Sequence, residues 1–597
     1  MLIDSKEQIE NEVLPFLRNQ SKVGLDVETT GLDPLTSQVL LLQIGNFQKQ
    51  FALDIARLGD SINLLFDHIK DRGRKLLIIG HNIEFDYSLI RSNFKFRLPY
   101  VACTMIGEQL LNSGKRVEAN LEAVVEKYLG IKLNKLAQET FIGMKYGDVF
   151  SSEQISYAEG DVKHLVPLYN KQMNLINSRK MGELLLLENE TTLVTGDLKV
   201  DGIKINKQKW VALRDTVEAE AEKLKVKLHD HLRPHTQKDL FGEPIVNLNS
   251  PMQLLPLLNK ICGTKFKSTN ENILALHQDR YDVIKDLLEY RKARKRIDTY
   301  GQSFIDKNVS PIDDRIHSDF IQLGAESGRF ASRNPNMTNI PRDQAYRTPF
   351  EAEPGFKIIS ADFSQQELRL LAQLSKEEKF IYALQNNMDL HCYSASLLNR
   401  IPYENFFDEY GKVKKSMKSL RTYIKTVTFG LIYGMGVYKL AASLKIDVDA
   451  AKKLFKDYFN TFPAIKKLMD NLVDNLMQTH IAESPLDGRR RDLTSIDWDN
   501  KRQVAHAINI AKNMPFQGCG ASTTKLAACL IRRQIIKGNY NSRINNVIHD
   551  EIIVEVIENE AEVMAEIVKT AMIKAFNHYA PDVPMEVHPI IGDWWIH

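Results

Sequence analysis

The chain runs to 597 residues, too long for one ordinary hydrophobic core and suited to roughly two to four domains. Hydrophobic residues make up 43% and charged residues 26%, a balance that excludes disordered, collagen-like and disulfide-scaffold classes. A formal charge of +3 leaves any nucleic-acid surface to local clusters of Lys and Arg. The cysteines, Cys103, Cys262, Cys392, Cys519 and Cys529, lie far apart with no CxxC pair. An odd count without pairs predicts a reducing compartment, no disulfide framework and no zinc site. The opening Met1 to Glu7 carries early acids and no apolar core of a signal peptide, and no apolar run approaches membrane-spanning length. The expectation is a protein without secretion signal or membrane partner, located in the cytoplasm.

In chain order, the first 170 or so residues alternate apolar strands (Val23 to Val27, Val39 to Ile44, Leu76 to Ile79) with helical stretches such as Leu121 to Tyr128, which reads as an α/β domain. From Leu184 to Tyr300 the pattern is helical and rich in Lys and Glu, broken by a polar patch from His229 to Pro251, and suggests an elongated arm. Strands return after Pro311, a long helical region spans about Glu377 to His480, and strands follow again near Asn546 to Val556. A helical insertion between two halves of one sheet domain is the simplest reading of this α+β part. Neither repeats nor low-complexity segments occur.

In the segment Val23 to Gly31, the strand period of two puts Asp26 and Glu28 on one face while Leu25 and Val27 face the core. A second strand, Leu76 to Ile79, runs into Gly80-His81-Asn82-Ile83-Glu84-Phe85-Asp86. Further on, Tyr157 and Asp161 are four apart and share a helical face. Carboxylates at that density repel one another unless hard cations sit between them, and Mg²⁺ or Mn²⁺ prefers oxygen ligands. The set resembles the three exonuclease motifs of the DEDD superfamily, in its tyrosine-bearing branch. That resemblance implies metal ligation by Asp26, Glu28, Asp86 and Asp161 and orientation of the attacking water by Tyr157.

Further along, Gly355 to Asp362 reads as a strand ending on an acid, followed by a helix that begins around Gln365-Gln366-Glu367-Leu368-Arg369. Asn546 to Val554 reads as two strands joined by a tight polar turn that carries His549, Asp550 and Glu551. Between them, Arg421, Lys425, Phe429 and Tyr433 recur every four residues, so each lies about 40° from the last on one helical stripe. Cations followed by aromatics suit a triphosphate at one end and a sugar and base at the other.

These segments resemble motifs A, B and C of family A DNA polymerases, and the whole chain is similar to the large fragment of the bacterial members. Supporting stretches are Leu288-Glu289-Tyr290-Arg291-Lys292, Ser327-Gly328-Arg329-Phe330, Asn339-Ile340-Pro341 and Gly592-Asp593-Trp594-Trp595. The resemblance implies an RNase H-like 3'-5' exonuclease domain over 1–183, then a right-hand polymerase. Its thumb would cover 184–310, its palm 311–376 and 496–597, and its fingers 377–495. It further implies that Asp362 and Asp550 hold two Mg²⁺ ions in the palm, with Glu551 as an auxiliary acid. Two more Mg²⁺ would sit in the exonuclease site, and Mn²⁺ could substitute. Arg421, Lys425 and His391 would contact the incoming phosphates. Phe429, Tyr433, Gln365 and Glu367 would surround the nucleotide, with Glu367 beneath the sugar. Arg329 and Gln517 would read the minor groove of the primer terminus, and His549 would support the primer end.

The implied partners are primer-template DNA and dNTPs, acting on a monomer, in a bacterial host cell if the chain is phage-encoded. No 5' nuclease activity is expected, because the first exonuclease motif lies close to Met1. No large processivity insertion is expected between Leu228 and Pro251. One departure is Asn509, where relatives often carry arginine. The cation runs Arg291 to Arg296 and Arg489-Arg490-Arg491 are expected to meet duplex phosphates.

Overall fold

The computed structural model describes residues 1–115, 117–133, 138–432 and 434–596. It divides into two compact units. The first comprises Met1–Gly202, Ser318–Thr338 and Gly355–Gly592, and the second Ile203–His317, Asn339–Pro354 and Asp593–His597.

Within the first unit, a six-stranded mixed sheet is built from Leu2–Ile3, Gln50–Asp54, Val39–Gly45, Lys22–Thr29, Leu77–Gly80 and Val101–Cys103, in that spatial order. Lys22–Thr29 runs antiparallel to Val39–Gly45 and parallel to Leu77–Gly80. Every residue of Val39–Gly45 is buried, as a strand covered on both faces requires. The period-two reading of Val23 to Val27 therefore corresponds to a central strand. On one face lies the helix Ser152–Lys163, and Gly24 is what lets it approach, since a Cβ there would stand 2.6 Å from the Val162 carbonyl.

The second sheet of this unit is antiparallel, with Ser542–Ile548, Glu551–Ile557, Phe356–Asp362 and Ile590–Gly592 in spatial order. The pairing of Phe356–Asp362 with Glu551–Ile557 joins strands separated by the whole helical region, as the insertion reading expects. Behind the sheet, the long helix Lys501–Gly538 packs against Ala561–Tyr579.

The helix Gly182–Asp201 departs from the expected plan. Sequence reading put its start at the head of the arm, yet Leu184, Leu185 and Leu193 belong to the apolar core of the exonuclease-like sheet. It is buried around nearly its whole circumference, between the helices Ile83–Phe94 and Lys501–Gly538. Its two buried acids are matched by cations from the long helix and from the hairpin of Ile481–Glu483 and Arg490–Asp492 that precedes it. Glu188 receives Lys525 Nζ at 2.7 Å, Arg489 Nη2 at 2.5 Å and Gln322 Nε2 at 2.7 Å. Asp197 receives Arg532 Nε at 2.6 Å and the Tyr87 hydroxyl at 2.5 Å.

The second unit is helical. Lys207–Leu232 packs on Asp282–Tyr300, and Leu228, Leu232, Leu258, Ile284 and Leu287 form the centre of its core. At its other end, Trp210 stacks on Phe304 at 4.7 Å and donates its indole N–H to the Tyr300 carbonyl at 2.9 Å.

Removing the carboxylate of a buried ion cluster strands its cations. Glu188→Ala is therefore expected to cost about 3–5 kcal/mol of stability, measured by urea unfolding of parent and variant side by side. A loss below 1 kcal/mol would mean that water reaches Lys525 and Arg489.

Candidate active sites

The first cluster forms where Lys22–Thr29 passes between Val39–Gly45 and Leu77–Gly80. Asp26 lies opposite Gln43 and Glu28 opposite Leu41, so both acids emerge beneath the helix Ser152–Lys163. That helix opens with a Ser151 capping box and carries Tyr157 and Asp161 on adjacent turns of one face. Asp86 comes from the first turn of Ile83–Phe94, which begins directly after Asn82 in a left-handed conformation (φ 63°). Its Oδ1 accepts the Val27 N–H at 3.0 Å, which locks it beside Asp26. Ligand oxygens of Asp26, Glu28 and Asp161 all lie within 4.8 Å of one another.

Electrostatics mark this as an uncompensated site. Burial, then the charges of Asp86, Asp161 and Glu28, hold the Asp26 carboxyl well above the usual range. Burial, with Asp161 and Asp86 adding to it, pushes Glu28 up to about 8, and burial pushes Asp86 up to about 7. Burial and neighbouring acids likewise raise the Tyr157 phenol, which stays protonated and hydrogen-bonds Asp161. The charges acting most strongly on Asp26 and Glu28 are all carboxylates. Crowded acids of this kind fit hard divalent cations, which take oxygen ligands and would remove the repulsion.

The second cluster sits at the strand ends of the antiparallel sheet. Asp362 closes Phe356–Asp362 and pairs in register with Glu551, while His549 and Asp550 form the two-residue turn between Ser542–Ile548 and Glu551–Ile557. His549 takes the positive φ (54°) that such a tight turn demands. The Phe363 N–H donates to the Asp550 carbonyl at 3.3 Å, so the three acids stand together at one end of the sheet's strands. Glu551 is buried and accepts the Ser360 hydroxyl at 2.6 Å, whereas Asp362 is exposed and Asp550 half-buried.

Around this edge, Gln365 is the exposed, left-handed cap (φ 51°) of the helix Gln366–Ser375, which presents Glu367 in its first turn. Glu367 Oε1 accepts Arg329 Nη2 at 2.7 Å, a pairing that sequence reading did not foresee. The helix Lys415–Ile432 carries Arg421, Lys425 and Phe429 as the expected stripe, with Lys425 Nζ 5.9 Å from the Phe429 ring centre. Tyr433 lies outside the described residues. His391 lies in the first turn of Leu390–Asn399, its ring 5.9 Å from that of Phe429. Burial holds His391 down to about 4, so it is neutral near pH 7. Gln517 is half-buried on the long helix Lys501–Gly538. Asn509, on the same helix, packs against Gly434, whose positive φ (65°) and lack of a side chain make room for it.

Both cation runs differ from expectation. Arg489 is buried on Glu188 and Asp487, Arg490 pairs with Glu483 at 2.9 Å and Arg491 with Glu326 at 2.6 Å. These guanidiniums neutralise protein acids. In the other run, Arg291 turns inward to the Thr269 carbonyl at 2.6 Å, Arg294 pairs with Asp298, and Arg296 with Asp343. Only Lys292 and Lys295 of that run stand exposed. No described helix is long and apolar enough to cross a membrane.

The family described as DNA polymerase family A matches residues 214–597, and that described as 3'-5' exonuclease matches residues 2–177. DNA polymerase I of Aquifex aeolicus is 29% identical over 617 residues, covering 97% of this chain and 96% of that relative. DNA polymerase I of Borreliella burgdorferi is 28% identical across 98% of this chain and 63% of its own length. For the Caldicellulosiruptor bescii enzyme, 31% identical, the figures are 67% and 45%. The polymerase domain of Pol1 from M. smegmatis, in complex with DNA primer-template and dNTP, superposes with a TM-score of 0.81 at 24% identity, covering 98% of this chain and 97% of that one. At that identity the likeness speaks for the fold.

A carboxyl whose folded pKa exceeds its unfolded value keeps its proton longer in the native state, so stability falls as pH rises between the two values. For Glu28 that window runs from 4.5 to about 8. In chelator, the parent should lose thermal stability between pH 5 and pH 8, and Glu28→Gln should lose less. Equal pH slopes for the two proteins would show that Glu28 is ionised without penalty.

Proposed function

Because the chain belongs to DNA polymerase family A and carries a 3'-5' exonuclease domain, we propose that it extends a primer on a DNA template and removes misincorporated 3' nucleotides at a second, separate site. The observation that supports this reading is that Asp26, Glu28 and Asp161 gather at the six-stranded sheet while Asp362, Asp550 and Glu551 stand at the strand ends of the antiparallel sheet, with no residue in common. In the domain terms expected above, thumb, palm and fingers correspond to the second unit, the antiparallel sheet and the helical insertion.

We assign Asp362 and Asp550 as Mg²⁺ ligands for synthesis, and Asp26, Glu28, Asp86 and Asp161 for hydrolysis, two ions to each site. Bound there, the metal would acidify the attacking hydroxyl or water and neutralise phosphate charge. The chain's own residues do the rest. Arg421 and Lys425 draw the triphosphate onto the fingers helix by charge-assisted hydrogen bonds. His391, held neutral by burial, offers a ring N–H to a phosphate oxygen without adding charge. Phe429 and Tyr433 pack against sugar and base. Arg329 and Gln517 reach acceptors that correct base pairs present alike in the minor groove, and His549 supports the primer end. Glu551, fixed by Ser360, backs the strand edge. In the hydrolytic site the Tyr157 phenol, already donating to Asp161, orients the attacking water.

Primer-template DNA and dNTPs are the substrates in this reading, met by a monomer. The described cysteines are all free and buried, which fits a reducing compartment such as the bacterial cytoplasm.

Two tests follow. Asp26→Ala with Glu28→Ala should abolish 3' degradation while primer extension stays near the parent rate, and Asp362→Ala should do the reverse. Loss of both activities in either variant would rule out separate sites. Second, a ribonucleotide would have to displace the packed Glu367 carboxylate, at a cost of about 1–3 kcal/mol. Single-nucleotide kinetics should therefore find greater rNTP use in Glu367→Ala. Unchanged sugar preference would move the nucleotide pocket elsewhere.

A further inference from the structure

The triphosphate-binding reading of Arg421, on which this inference rests, leaves open how a long cationic side chain is held ready. Arg421 stands on Lys415–Ile432, and among the described residues no contact from that helix orients its guanidinium. Its partner comes from the neighbouring helix. Asp389 Oδ2 accepts Arg421 Nε at 2.8 Å and approaches Nη2 at 2.7 Å, while the other carboxylate oxygen, Oδ1, accepts the Cys392 N–H at 2.9 Å. Asp389 is thereby the N-cap of Leu390–Asn399, the helix that carries His391 in its first turn. The cap is itself fixed, since the Asp389 N–H donates to the Tyr403 hydroxyl at 2.8 Å.

We propose that Asp389 is a positioning residue for nucleotide binding, one carboxylate that sets the Arg421 guanidinium and the His391 helix in a common geometry. Three features support this. The carboxylate uses one oxygen for each task, so the two helices cannot shift independently without breaking a bond. Nη1 of Arg421 makes no contact with Asp389, and the other neighbour of the guanidinium, the Cys392 thiol, is a weak acceptor, so donor capacity remains for an incoming anion while Nε and Nη2 fix its plane. The pair is only partly exposed, 29% for Arg421 and 22% for Asp389, which leaves it open to a ligand yet shielded enough to hold its geometry.

The titratable groups acting on this pair from the capped helix are His391 on Asp389 and the Cys392 thiol on Arg421, while Lys425, one turn along Arg421's own helix, acts on His391. Although burial raises it, the Asp389 carboxyl lies below the ordinary range because Arg421 and the Cys392 N–H bond its ionised form. It is therefore an anion throughout the working pH range.

The test is a double-mutant cycle read by steady-state and single-turnover kinetics on a primer-template with Mg²⁺. Asparagine keeps an N-cap acceptor but loses the charge, so Asp389→Asn preserves the helix and removes the hold on Arg421. The expected result is a rise of about tenfold in the dNTP KM, with the maximal single-turnover rate within about twofold of the parent. Adding Asp389→Asn to Arg421→Ala should raise KM no further. The 3' degradation rate on single-stranded DNA serves as the fold control and should match the parent.

If Arg421→Ala raises KM and Asp389→Asn does not, Asp389 is only a helix cap and the inference is overturned with the phosphate reading intact. An additive effect in the double variant also overturns it, because Asp389 would then act independently of Arg421. Should Arg421→Ala leave KM unchanged, the phosphate reading of Arg421 fails and this inference with it.

Discussion

Two carboxylates on one buried helix, Glu188 and Asp197, can exist where they are only because the long helix Lys501–Gly538 and its flanking hairpin deliver Arg489, Lys525 and Arg532 to them. An unpaired charge at that depth would cost several kcal/mol. The constraint acts in both directions. Lys525, wholly buried, is held down to about 8 by desolvation even with Glu188 beside it, so the cation depends on the anion as much as the reverse. The exonuclease-like sheet and the antiparallel sheet therefore share a single electrostatic joint on Gly182–Asp201.

The two kinds of buried acid separate structure from chemistry. Glu188 and Asp197 are brought below the ordinary carboxylate range by cations that overcome their burial. Asp86 is buried like them and Asp26 and Glu28 are half-buried beside it, but these acids meet one another, and their carboxyls rise. Such a repulsion is relieved by protonation or by a bound cation. That asymmetry distinguishes the metal-fitting cluster from the joint without reference to motif.

How much of this was legible in the sequence depended on range. Asp26 and Glu28 share a face through a period of two, Tyr157 and Asp161 through a spacing of four, and Arg421, Lys425 and Phe429 through the same spacing. Each is a local rule, and each matches an element observed here. The convergence of Asp362 with Asp550 and Glu551 is long-range, and was readable only by resemblance to a family. What escaped was pairing. Nothing near Arg489, Arg490 or Arg491 in sequence says that Glu188, Glu483 and Glu326 will claim them, so a structural run looked like a phosphate-binding one. The helix Gly182–Asp201 was misassigned to the arm for a related reason. Its acids and threonines give it a polar composition; the threonines bond carbonyls of their own helix, and cations distant in sequence make the acids compatible with burial.

The same logic reaches the residues proposed to face the nucleotide. Arg421 rests on Asp389 and Arg329 on Glu367, both in partly exposed pairs. Pairs of this exposure add little to stability, about 0–1 kcal/mol, so a stability role explains them poorly. Their geometric effect is larger. A guanidinium already held by a carboxylate has lost much of its rotamer freedom, and a substrate anion or acceptor that arrives need not order it afresh. Binding then becomes an exchange or sharing of partners at a fixed position. Lys425 has no such carboxylate among the described residues, and its flexible ammonium contributes charge without direction. The cations proposed for this site thus divide by chemistry, with the planar forks of Arg421 and Arg329 positioned in advance by acids and the Lys425 ammonium over the Phe429 ring.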